Sequence, residues 1–75
     1  MRVIKMGTQF EWGIPDRLVL FRGRAYFVEL KRPKGGIISK LQNHVRFLLL
    51  KFGFDVTYIF TIEEADKFID EILTT

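Results

Sequence analysis

Asp16-Arg17-Leu18-Val19-Leu20-Phe21-Arg22-Gly23-Arg24-Ala25-Tyr26-Phe27-Val28-Glu29-Leu30-Lys31 reads as two strands folded back on each other. The segments 17–21 and 24–30 are rich in β-branched and aromatic residues, and Arg22-Gly23 between them fits a tight two-residue turn in which glycine supplies a positive φ. With that turn, Phe21 faces Arg24 and the residue numbers of cross-strand partners sum to 45. Asp16 then faces Glu29. Directly opposed residues of antiparallel strands project to one side with Cβ atoms roughly 4.5–5.5 Å apart, where like charges repel. Two hard carboxylates at that spacing call for a compensating cation, and they suit Mg²⁺ or Mn²⁺ better than zinc. Lys31, two residues past Glu29, shares its face of the strand and brings a positive charge beside the water such a metal would hold.

Period and punctuation give the remaining elements. Residues 2–6 form a short strand, and 7–13 a loop bounded by glycines. Pro15 lacks a backbone donor and belongs at a strand start or edge. Pro33-Lys34-Gly35-Gly36 ends the second hairpin strand. Ser39, with Gln42 three residues later, is a capping box for a helix whose apolar stripe is Leu41, Val45, Leu48, Leu49 and Phe52, stopped by Gly53. The β-branched and aromatic residues of 55–61 suggest a strand inside the sheet. Thr61 and Glu64 form a second capping box, opening a helix with Ala65, Phe68, Ile69 and Ile72 inward. The order β-β-β-α-β-α describes one small α/β domain over residues 1–75, a mixed sheet flanked by helices. Its strand–helix–strand unit crosses over right-handed if the two strands are parallel.

Composition narrows the chemistry. A 75-residue chain without cysteine has neither disulfides nor thiolate metal sites, and its core leaves little stability to spare unless it oligomerises. The single histidine, His44, excludes multi-His zinc chemistry and reads as a surface or partly buried residue rather than a catalytic base. No apolar run approaches a membrane span and the N-terminus lacks the pattern of a signal peptide, so the chain reads as soluble and intracellular. The net charge of +3 is unevenly spread. Eleven Lys and Arg accompany three acids up to residue 54, whereas six acids accompany Lys67 from Asp55 onward. Such a division fits a polyanion bound on the side of the hairpin.

Gly13-Ile14-Pro15-Asp16 has the form Gly-x-Pro-Asp and is followed by Arg17-Leu18-Val19, by Glu29-Leu30-Lys31, and by Gln42 at a helix start. Together, over residues 13 to about 60, these resemble the virus-type replication-repair nucleases, the VRR-NUC family of the PD-(D/E)xK nuclease superfamily. The resemblance implies a restriction-endonuclease-like core and a divalent-metal deoxyribonuclease of DNA repair, an endonuclease on branched or structured DNA such as Holliday junctions. Stand-alone viral members of that family form homodimers, and a viral protein of this kind would work in the host cytoplasm. By matching position, Asp16, Glu29 and the backbone carbonyl of Leu30 would ligate Mg²⁺ or Mn²⁺, Lys31 would orient or help deprotonate the attacking water, and Gln42 would sit at the edge of the site. The limited core and apolar helix face independently favour a homodimer.

One departure stands out. Family members commonly carry an N-terminal helix with an acidic residue near the metal, and only twelve residues precede Gly13. Either that helix is absent, Glu11 takes its role from a loop, or a partner chain completes the site. Around the site, Lys34 and Lys40 flank the Gly35-Gly36 turn and, like Arg17, Arg32 and Arg46, either contact phosphates or are solvated surface charge. Phe10 and Trp12 suit a core or dimer interface better than base stacking. The competing reading is a non-catalytic nucleic-acid-binding module with the same fold.

Overall fold

The computed structural model describes residues 1–6 and 13–75. The glycine-bounded loop, with Glu11, Phe10 and Trp12, therefore lies outside the described residues apart from Gly13. Four strands form one sheet in the order β1 (Arg2–Lys5), β2 (Arg17–Phe21), β3 (Arg24–Leu30) and β4 (Val56–Ile59), with helices α1 (Lys40–Lys51) and α2 (Ile62–Leu73). β1 and β2, and β2 and β3, are antiparallel; β3 and β4 are parallel, joined through α1. The element order is the expected one.

The β2–β3 register runs from Phe21 opposite Arg24 to Arg17 opposite Val28, so each pair sums to 45 as expected. Both turn residues are left-handed, Arg22 at φ 53° and Gly23 at φ 76°, which is the conformation that matches the twist of the flanking strands. Glycine was expected to supply that conformation; Arg22 adopts it too, at a cost of about 1–2 kcal/mol. Its guanidinium lies 4.9 Å from the Phe21 ring centre, a contact that offsets part of the cost.

Strand alternation divides the sheet into two faces. On one, Val19, Val28 and Ile59 are buried with Ile72 of α2, and Phe21, Tyr26, Ala65 and Phe68 pack around them. Tyr26 and Phe68 meet edge to face at 6.0 Å. On the other face lie Phe27, Glu29, Val56 and Tyr58, which are register neighbours across β3 and β4. Phe54 packs edge-on against Phe27 at 5.6 Å there, and α1 reaches the same face through Gln42 and Arg46.

Two expectations are corrected. β4 lies at the sheet's edge, not inside it. Its apolar composition instead follows from having both faces occupied, Val56 being buried on one and Ile59 on the other. The expected inward stripe of α1 is also displaced. Val45 and Leu49 are half-buried, but Leu41, Leu48 and Phe52 are exposed, Phe52 at 77%, and no residue of α1 is buried. Polar anchors set this rotation: Gln42 bonds Glu29, and Arg46 bonds Asp55 while lying over the Tyr58 ring. Residues 42, 45, 46 and 49 therefore share the sheet-facing line.

The inward side of α2 is as expected, with Ile72 buried and Ala65, Phe68 and Ile69 half-buried. Thr61 Oγ1 accepts from Glu64 N–H at 3.1 Å, but the return bond of the expected box goes one residue further back, from Phe60 N–H to Glu64 Oε1. Ser39 and Gln42 form the full reciprocal box at α1.

Candidate functional site

The site grows from the open end of the hairpin. Past the last paired residues, Asp16 and Glu29 remain opposed and exchange bonds between side chain and backbone. Asp16 N–H donates to Glu29 Oε1 at 3.1 Å, and Leu30 N–H donates to Asp16 Oδ1 at 3.3 Å. The two carboxylates thus share one end of the sheet, as the register required. β1 continues alongside, where Met6 N–H donates to the Asp16 carbonyl at 2.9 Å.

Lys31 and Gln42 complete the cluster. Lys31 Nζ lies 2.7 Å from Gln42 Oε1, 2.9 Å from the Ile37 carbonyl and 3.7 Å from Glu29 Oε2. Gln42 Nε2 donates to Glu29 Oε2 at 2.9 Å. Gln42 therefore closes the capping box of α1 and also bonds both Glu29 and Lys31.

Electrostatics follow from this packing. Glu29 is nearly buried, and loss of water is the main reason its carboxyl titrates above the ordinary range, with the neighbouring charge of Asp16 next. Lys31, the Asp16 N–H and the Gln42 amide oppose that rise without cancelling it. Folded protein therefore takes up a proton at Glu29 at higher pH than unfolded chain does. Stability falls as pH rises from the ordinary carboxyl range through the raised value, and the penalty is complete above it.

Asp16→Asn keeps an acceptor for Leu30 N–H while removing the repelling charge. In EDTA at neutral pH it is expected to be more stable than the parent by up to about 1 kcal/mol, the scale of a cross-strand pair. The gain shrinks on acidification through the window in which Glu29 protonates. Urea melts at neutral and acid pH check this, and equal stability at both values would refute it.

The surrounding cations differ in availability. Arg32, Lys34 and Lys40 are exposed beside the site. Arg17 Nη1 bonds the Asp16 carbonyl at 3.0 Å and lies 3.8 Å from Oδ1. Arg46 is held away from the cluster by a fork to Asp55 at 2.7 and 3.3 Å, so its guanidinium is already engaged. His44 is exposed on α1.

Sequence reasoning missed three contributors. Ile37 offers only its carbonyl to Lys31, a role no side chain advertises. Ser39 was read as a cap without its link to the site. Tyr58 sits beside Glu29 in the β3–β4 register, and its hydroxyl is buried with no hydrogen-bond partner among the described residues. Only the register of the edge strand, which the sequence did not specify, could have placed it there.

Among the described residues no three His, Asp or Glu side chains converge as a metal-binding group. The oxygens that could hold a cation are those of the two carboxylates, with the Leu30 carbonyl as a third in sequence between Glu29 and Lys31. This set fits a hard divalent cation: all donors are oxygen, and the pair carries repulsion that a cation relieves. No protein-family model, curated protein or solved structure matches the chain. Among the described residues no helix is long and apolar enough to cross a membrane.

Proposed function

We propose that this protein is a divalent-metal-dependent deoxyribonuclease of the VRR-NUC type. The observation that carries the reading is the opposed pair Asp16 and Glu29 with the Lys31 ammonium fixed beside it. A non-catalytic module gains nothing from that repulsion. Asp16, Glu29 and the Leu30 carbonyl would hold Mg²⁺ or Mn²⁺, which when bound supplies Lewis acidity to a phosphodiester and to the charge developing on the leaving oxygen. Lys31 would orient the attacking water or help deprotonate it, the proton passing on to bulk solvent. Asp16 and Glu29 remain acceptors throughout. Arg32, Lys34 and Lys40 supply exposed charge for the DNA backbone, a contact weakened by salt.

A homodimer acting on branched or structured DNA completes the proposal. It is supported by the exposed apolar residues of α1, Leu41, Phe47, Leu48 and Leu50, with Phe52 just beyond. The test is cleavage of labelled four-way-junction, flap and linear duplex DNA in Mg²⁺, Mn²⁺ or EDTA, by protein whose mass is first measured by sedimentation. Metal-dependent cutting by the parent and none by Asp16→Asn is expected. Salt-sensitive binding without cutting would identify a binding module instead.

A further inference from the structure

We propose that Gln42 is a positioning residue, its amide set by the α1 cap so that it holds the Lys31 ammonium and the Glu29 carboxylate at once. Any catalytic consequence rests on the nuclease reading; the positioning itself does not.

The amide has only one orientation that suits its neighbours. Oε1 accepts from Lys31 Nζ at 2.7 Å and from Ser39 N–H at 3.0 Å, while Nε2 donates to Glu29 Oε2 at 2.9 Å. Rotated by half a turn, its NH₂ would face the ammonium and the Ser39 N–H, and its oxygen would face a carboxylate. Three charged or donor groups thus forbid the flip. The backbone is pinned as well, since Gln42 N–H donates to Ser39 Oγ at 3.1 Å. The reach of the amide is set by the Ser39 backbone N–H at the start of α1, which holds Oε1, and not by the hydroxyl.

The same turn holds Lys31 from a second side. The Ile37 carbonyl accepts from Nζ at 2.9 Å, two residues before the cap. Its approach depends on Gly36, where a Cβ would lie 2.5 Å from the Arg32 carbonyl and 3.1 Å from Lys31 Cβ. Residues 36–42 consequently form a cradle around one lysine, whose side chain is only 12% exposed. A residue that merely capped a helix would have no need to touch either charged group.

Cap and positioning roles can be separated because Ser39 Oγ serves the cap alone. Ser39→Ala removes the bond to Gln42 N–H but leaves the backbone N–H that steers Oε1. Gln42→Met keeps the length and helix propensity of the side chain and removes its polar atoms. Gln42→Asn keeps the amide but is one methylene short, and it answers the question if the Met variant does not fold.

Lysine reactivity is read by reductive methylation of metal-free protein with peptide mapping, a readout independent of nuclease activity. Lys31 is expected to react about tenfold faster in Gln42→Met and Gln42→Asn, as loss of a hydrogen bond to a charged group implies. In Ser39→Ala, which is destabilised by cap loss, it stays within about twofold of the parent. Unchanged Lys31 reactivity in the folded Gln42 variants, or the same rise in Ser39→Ala, would overturn the assignment. Faster labelling in a protein that cuts no DNA would uphold the positioning and sink the nuclease reading.

Discussion

Lys31→Ala is expected to lower single-turnover DNA cleavage by about 10²–10⁴-fold, the range for losing a positioned proton-handling group. The ammonium is the only cation within salt-bridge distance of Glu29 among the described residues. Its removal has two effects that differ in pH dependence. On the proposed mechanism the water would lose the group that orients it, which would slow cleavage at every pH. Glu29 also loses the main influence holding its titration down, so its carboxyl rises further. A raised carboxyl must lose its proton before it can hold a cation, and the acid limb of the activity profile should therefore move to higher pH. Raising the pH would recover the second loss but not the first.

Stability changes less cleanly. Without Lys31, the Ile37 carbonyl loses its side-chain donor and the repulsion between Asp16 and Glu29 is no longer moderated. Circular dichroism and melting in saturating Mg²⁺ separate unfolding from lost chemistry. Arginine is not a neutral replacement, because its planar fork differs in shape from an ammonium that meets acceptors from several directions. Cleavage by folded Lys31→Ala within tenfold of the parent, with an unmoved acid limb, would remove Lys31 from the mechanism.

The hairpin was legible because its register depends on one local feature. Once Arg22-Gly23 is taken as a two-residue turn, every partner from Phe21–Arg24 outward follows, including the carboxylate pair just beyond the ladder. Capping at Ser39 was equally local. The position of β4 was less accessible, because strongly β-forming residues suit either an interior strand or an edge strand covered by helices. The rotation of α1 was hidden for a related reason. Its apolar pattern alone favoured Leu41, Leu48 and Phe52 inward, but the bonds of Gln42 and Arg46 selected another line. These long-range contacts depend on where Glu29 and Asp55 lie in space. The link between cap and site belongs to the same class: two individually readable signals meet at one side chain.

Gly13→Ala is expected to destabilise the fold by about 2–5 kcal/mol, a sum of backbone strain and forced contact. Gly13 has φ +73°, in the left-handed region, so an alanine there is strained whatever its surroundings. An added Cβ would also lie 2.6 Å from the Leu41 carbonyl oxygen, 2.7 Å from its carbon and 2.8 Å from Gln42 N. All three are backbone atoms in the first turn of α1, and no side-chain rotation relieves the overlap. Gly35 offers the matching control: its φ is +78°, but nothing lies within 4 Å of its Cβ position. Gly35→Ala should therefore show the conformational cost alone, about 1–2 kcal/mol. A domain of this length has roughly 4–11 kcal/mol in total, so the difference decides whether Gly13→Ala remains folded. The contact also explains why this glycine belongs to the site. Gln42 N–H is bonded to Ser39 Oγ, and pushing that backbone away disturbs the cap and the Gln42 amide together. Urea melts of both variants measure the stability difference, with Lys31 methylation reporting the site in whichever remains folded. Equal costs for the two alanines would mean that the loop before Asp16 does not brace α1.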